Sequence, residues 1–223
     1  MPALVLPGCL HVVTQRTRAR QILFSDSRDY ETYLSILADC CRDYRVRLEA
    51  YCLMPDHVHL IARPPSEQAL PLALTRAHRR YARLVVRPPG RRVLWQGRPV
   101  FSLIDEYHLA TAACHVELNP VRAGLVQRAW DWRWSSAWPH CSGQEDPLVE
   151  AEPWGRLYPR WARRLRQGLP ERLHRIVSRY LREGMVLGRQ EFLEQVRYQT
   201  GLRFRAPRLR PRRRDASPGL AAG

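Results

Sequence analysis

The run Tyr51-Cys52-Leu53-Met54-Pro55-Asp56-His57-Val58-His59-Leu60-Ile61 constrains this chain more than any other segment. Two apolar stretches meet at Pro55-Asp56, a dipeptide that favours a turn, so residues 46–54 and 57–62 read as strands joined by a tight connection. On the second strand His57 and His59 project to the same face, because side chains alternate with period two. Two imidazoles side by side make half of a divalent-metal site. They are equally the partly buried, hydrogen-bonded histidines of an ordinary strand, and the spacing leaves both readings open.

Around this pair the elements alternate. Residues 9–15 read as a first strand. Asp26 or Ser27 then caps a helix whose apolar positions Tyr30, Tyr33, Leu34, Leu37, Cys41 and Tyr44 recur at helical spacing. Pro64-Pro65 ends the histidine strand, and residues 67–86 form a second helix, basic on one side through Arg76, Arg79, Arg80 and Arg83. Residues 93–103 read as a fourth strand with an irregular middle at Gly97-Arg98-Pro99. Asp105 opens a third helix that must stop before Pro120, since the residue preceding proline is biased out of the helical region. Strand, helix, strand, strand, helix, strand predicts an α+β, ferredoxin-like core, an antiparallel sheet with helices on one face.

Trp130, Trp132, Trp134 and Trp138 follow as a strap expected to close that core. The domain limits drawn from these patterns are 1–143 for the main domain, 144–201 for a helical appendage and 202–223 for an arginine-rich tail. Within the appendage, helices near 170–183 and 188–199 present the outline of a helix-turn-helix reader of duplex DNA, or of a plain helical addition. The tail, with seven arginines among interspersed prolines, has too little apolar surface to bury a core and is expected to be disordered.

Charge points to the partner. The 37 basic residues, every one an arginine, outnumber 21 acidic ones and give a formal net charge of +16, of which the tail accounts for only +6. Guanidinium forks suit phosphate, so a nucleic acid is the expected partner, ahead of an anionic membrane surface. Arg79, Arg80, Arg83, Arg91, Arg92, Arg98 and Arg122 are the candidate phosphate contacts, and Tyr81 and Trp95 the candidate platforms for unpaired bases. Six cysteines without CxxC spacing fit a reducing cytosol. No apolar run approaches the ~20 residues of a membrane span, so a cytoplasmic, nucleoid-associated location is expected, with no membrane partner.

The third helix offers the histidine pair a companion. His115 and Asn119 lie four apart on one helical face, and an amide oxygen beside imidazoles is compatible with Mg²⁺ or Mn²⁺. Asn119-Pro120 is also an ordinary helix terminus, and both readings can hold at once.

Five blocks then occur in order: His11-Val12-Val13-Thr14-Gln15-Arg16, residues 51–61, Leu94-Trp95-Gln96-Gly97-Arg98, residues 116–126 and Trp134-Ser135-Ser136. Together, over residues 6–142, they resemble the REP-associated tyrosine transposases, relatives of the small insertion-sequence single-tyrosine transposases. The resemblance implies a ferredoxin-like catalytic domain that binds single-stranded hairpin DNA. It implies a divalent metal on His57 and His59, with Asn119 as third contact. A tyrosine one turn before that residue would attack the scissile phosphate, leaving a 5′-phosphotyrosyl link and a 3′-OH. Relatives occur as monomers and as homodimers.

Here the tyrosine position holds His115. Three readings follow: His115 acts as nucleophile or base, it is an extra metal ligand in a DNA-binding remnant that does not cut, or another tyrosine substitutes. Tyr107 is eight helical residues away, roughly 12 Å, which argues against direct substitution.

Overall fold

The computed structural model describes residues 4–18, 21–85 and 94–202. Arg91, Arg92 and the tail from residue 203 lie outside the described residues. Strands β1 (Leu10–Arg16), β2 (Arg47–Met54), β3 (His57–Arg63) and β4 (Val100–Ile104) form one sheet in the order β2-β3-β1-β4. Every pairing is antiparallel, and Met54 lies opposite His57 across the Pro55-Asp56 turn.

Alternation along the strands decides what each face meets. Val13, Leu53, Val58, Leu60 and Ala62 pack against Tyr33 and Leu37 of α1 (Ser27–Asp43) and Leu70 and Leu74 of α2 (Ala69–Val85). Asp26 starts α1 by accepting a hydrogen bond from the Asp29 amide, one of the donors a helix start leaves unpaired. This is the expected α+β, ferredoxin-like arrangement. Val12, Cys52, Met54 and Ile61 point the other way, toward α3 (Glu106–Glu117), which covers the second face. His57 and His59 share the parity of Ile61 and therefore face α3.

The fourth strand differs from the sequence reading because of a proline, whereas the third helix stops before Pro120 as expected. The fourth strand begins at Val100, not at 93. Pro99 cannot donate to a ladder, and ahead of it the described chain meets the end of β1 only irregularly, through the Gln96 amide on the Arg16 carbonyl at 2.8 Å and an isolated bridge between Trp95 and Thr17. The third helix ends at Glu117, but the chain restarts at once as α4 (Asn119–Arg122), with Pro120 in its first turn, where no amide donor is needed.

Trp130, Trp132 and Trp134 of the tryptophan strap pack on the core as expected, whereas Trp138 is exposed. Trp132 Nε1 donates to the Leu53 carbonyl at 2.9 Å, and Trp134 stacks on Tyr30 with centroids 4.6 Å apart. Following α5 (Ala137–Ser142), the stretch at the expected border between main domain and appendage is tied to the sheet: Asp146 accepts from the Tyr51 hydroxyl at 2.8 Å and from the amides of Leu148 and Val149. Two helices that the sequence reading missed follow, α6 (Ala151–Leu157) and α7 (Trp161–Gln167); at seven residues each they are too short to show a period.

The last two described helices, α8 (Glu171–Glu183) and α9 (Gln190–Thr200), match expectation in extent. Their setting does not match a displayed helix-turn-helix. Ser102 Oγ of β4 reaches the carbonyls of Tyr180 and Leu181, and the Leu187 amide donates to the Leu103 carbonyl at 2.8 Å. Gly184 ends α8 at φ +66°, where a Cβ would meet the Phe101 carbonyl at 3.2 Å. The appendage is therefore seated on β4. Among the described residues no helix is long and apolar enough to cross a membrane.

Candidate functional site

A cleft of about 750 Å³ opens where the starts of β3 and β4, the end of α3 and the inner face of α8 meet. His57 and His59 line it with ring centroids 4.8 Å apart, perpendicular to one another. Each ring is held by its Nδ1. His57 Nδ1 is 2.5 Å from Asp56 Oδ1 in the turn, and His59 Nδ1 is 2.9 Å from Thr14 Oγ1 on β1. Such partners fix ring orientation and raise the ligand strength of the opposite nitrogen. His57 Nε2 is buried and has no hydrogen-bond partner, an orphaned atom of the kind that a cation satisfies. The residues thus fit a metal-bearing role.

His115, on the last turn of α3, brings a third imidazole, its centroid 6.4 Å from that of His59. Asn119 follows one turn later. Its amide nitrogen donates back to the end of α3, to the carbonyls of His115 at 3.0 Å and Val116 at 3.1 Å, which leaves Oδ1 as the group for an outside partner. Burial pushes the pKa of His59 well below the usual imidazole range, reinforced by its neighbours His57 and His115. The same cause, with His174 and Arg122, lowers His115 to about 3. His57 is also lowered by burial and by Arg16, against the opposing pull of Asp56. All three are neutral near pH 7, the state in which a ring nitrogen can ligate or attack. Among the described residues no three His, Cys, Asp or Glu side chains are grouped to hold an ion by themselves. A cation here would draw on two imidazoles, the Asn119 carboxamide, water and substrate oxygens.

Glu117, between His115 and Asn119, turns inward and is fully buried. Its Oε1 accepts from Ser136 Oγ and His140 Nδ1, both at 2.6 Å, and its Oε2 accepts from Trp161 Nε1 of α7 at 2.7 Å. This carboxylate fastens the end of α3 to the tryptophan strap and to α7 at once.

The arginines divide. Arg98 and Arg122 line the cleft as expected, and so do Arg16 and Arg182, which the sequence reading passed over. Arg79, Arg80 and Arg83 sit on α2, across the sheet from the histidines, and Arg80 pairs with Asp39 at 3.4 Å. Tyr81 is a core residue: it is fully buried, and its hydroxyl donates to the Leu23 carbonyl at 2.9 Å. Burial removes it as a base platform. Trp95 stacks on His78 at 4.1 Å, on the α1–α2 side. Tyr107 is exposed beside Arg189 and away from the cleft. The most informative omission is His174 of α8, which meets His115 directly, with Ser178 behind it. Its only sequence signal is that His174, Ser178 and Leu181 fall on one helical face.

Comparison with known proteins gives the following. The family model described as "Transposase IS200 like" matches residues 8–112, a span that includes His57 and His59 and stops just short of His115. A solved structure of a REP-associated tyrosine transposase bound to a REP hairpin is 18% identical and covers 66% of this chain and 88% of its own, with a TM-score of 0.56. A Deinococcus radiodurans R1 protein described as a candidate transposase is 19% identical over 50% of this chain and 90% of its own, with a TM-score of 0.39. No curated protein matches.

Proposed function

From the match of residues 8–112 to the IS200-like transposase family model we propose that the chain is a transposase-family protein that binds hairpin-forming single-stranded DNA in the histidine cleft and cuts one strand there with a divalent cation. The observation that carries this reading is the convergence of His57, His59, His115 and Asn119 on one cleft that also holds Arg16, Arg98, Arg122 and Arg182. The fold neighbour bound to a REP hairpin supports the choice of ligand.

The roles follow from chemistry. Attack on a phosphodiester builds negative charge on its non-bridging oxygens, which Mg²⁺ or Mn²⁺ stabilises when bound. His57 and His59 would hold that cation through Nε2, and Asn119 through Oδ1. The four arginines position the backbone phosphates on either side. His115, at the place where the resemblance puts a tyrosine, supplies the attacking atom. A covalent link keeps the energy of the broken ester available for rejoining.

The test is incubation of labelled oligonucleotides carrying paired inverted repeats with Mg²⁺ or Mn²⁺, followed by denaturing electrophoresis. Nicking with a denaturation-resistant adduct is expected. Failure to retain any hairpin sinks the proposal whole. Retention without cutting sinks only the nuclease half and selects a second reading, a hairpin binder that has lost its nucleophile. One observation favours that alternative: histidine stands where the relatives carry tyrosine. His115→Tyr separates the two, since adducts appearing only in the variant mark a lost nucleophile.

A further inference from the structure

His115 does not stand alone in the cleft. Its Nδ1 lies 3.1 Å from Nδ1 of His174, the two rings being 26° from coplanar with centroids 4.9 Å apart. Two ring nitrogens at that distance share one proton, so one ring donates and the other accepts. On its far side His174 Nε2 is 3.2 Å from Ser178 Oγ. The helix that carries both groups is fixed against β4 by Ser102 and by the close approach at Gly184. This constellation comes from a helix beyond the matched residues 8–112.

We propose that His174 is a positioning residue for His115: it accepts the Nδ1 proton of His115, with Ser178 orienting it from behind, and so presents Nε2 of His115 as an unprotonated nucleophile toward the DNA phosphate. The inference rests on the strand-cutting reading above and gives it a specific product, a phosphohistidine in place of a phosphotyrosine.

The step balances. The Nε2 lone pair of His115 forms an N–P bond as the P–O3′ bond breaks. The Nδ1 proton passes to His174 Nδ1, so the phosphorylated ring ends neutral and His174 becomes an imidazolium with its Nε2–H on Ser178 Oγ. The departing O3′ takes a proton from solvent water, and His174 returns one to solvent. The net transfer is one proton from His115 to the 3′ oxygen. Without an acceptor at Nδ1 the ring would become a cationic N-phosphoimidazolium, a far better leaving group that would reverse at once.

Two readouts test this on the full chain. Long-range ¹H–¹⁵N NMR of the histidines, with no DNA present, should show His115 protonated on Nδ1 and bare on Nε2. In His174→Leu that preference should be lost, while His174→Gln, which still offers an acceptor oxygen, should retain it. In single-turnover cleavage of the hairpin, His174→Leu should be slower by at least about 10²-fold, on the scale of general-base losses. Hairpin affinity should change less than threefold and the melting temperature should match that of His174→Gln. The wild-type adduct should be acid-labile and base-stable. An Nε2–H tautomer in wild-type His115, or wild-type cleavage by His174→Leu, overturns the inference. An Nδ1–H tautomer in a wild type that cuts nothing overturns the nucleophilic step and the nuclease reading together, while the pairing of the two rings stands.

Discussion

Trp161→Phe should destabilise the whole molecule, although residue 161 lies beyond the expected limit of the main domain. Trp161 Nε1 is the only hydrogen-bond donor that reaches Glu117 Oε2 among the described residues, at 2.7 Å, and both side chains are buried. Phenylalanine keeps most of the ring and removes that donor, leaving a buried carboxylate oxygen unpaired. Hydrogen bonds to charged groups contribute about 1.5–3 kcal/mol net. The lost ring volume, roughly 40 Å³ at about 24 cal/mol per Å³, adds about 1 kcal/mol. The expected loss is therefore about 2.5–4 kcal/mol, or a fall in Tm of about 5–15 °C for a chain of this size. Urea unfolding followed by tryptophan fluorescence and by far-ultraviolet circular dichroism measures it. Glu117→Gln is the companion: its amide must turn an NH₂ toward the Ser136 and His140 donors or toward Trp161, so it should cost at least as much. A Trp161→Phe midpoint within about 0.5 kcal/mol of wild type would refute the reasoning. So would a separate early transition that leaves the unfolding of the sheet unchanged, since the carboxylate would then not join α7 to the core.

Two further outcomes follow from buried histidines and from the arginines of the cleft. Burial holds His78 at a pKa of about 3 and His11, despite its bond to the Cys9 carbonyl, at about 4. Unfolded, both titrate near 6.5. Below pH ~6.5 the unfolded chain binds protons that the folded one refuses, so stability present above that pH is lost as pH falls. From these two residues the loss by pH 5 is about 4 kcal/mol, and His78→Phe should flatten the dependence; a urea midpoint constant between pH 7 and pH 5 would contradict this. For DNA, single alanine substitutions of Arg98, Arg122 or Arg182 should each weaken hairpin binding and reduce the slope of log affinity against log salt by about 0.7. Arg79→Ala and Arg80→Ala, across the sheet, should leave the slope unchanged, and equal effects from both sets would place the DNA elsewhere.

The sheet and the histidine pair were legible because their causes are local. Period two along residues 57–62 and a turn at Pro55-Asp56 fix which side chains share a face, whatever lies far away in the chain. The same reasoning reached His115 and Asn119, which are one helical turn apart. It misjudged Tyr81, because a stripe at helical spacing does not say how deep its members sit; this ring meets Phe24 and Tyr33 instead of solvent. It could not reach Glu117. A single acid in the apolar run Ala112-Ala113-Cys114-His115-Val116-Glu117-Leu118 signals a buried polar contact, but its partners Ser136, His140 and Trp161 lie 19 to 44 residues downstream.

His174 is the sharper case, because two local rules point away from it. A helix joined to a core through a polar stretch invites the reading of a separate module, and a lone histidine on such a helix reads as surface. Both inferences fail at β4. The short edge strand leaves the Leu103 carbonyl for the Leu187 amide to pair with, so the chain after α8 is drawn alongside the sheet. Once Leu187 is bound there and Gly184 turns the chain against Phe101, α8 has to run back along the mouth of the cleft. Ten residues before Gly184, the side chain that arrives opposite His115 is His174. The identity of residue 115 and the seating of α8 are thus one structural question: a histidine at that position needs a partner for Nδ1, and the fold delivers one from an element that sequence patterning assigns to another domain.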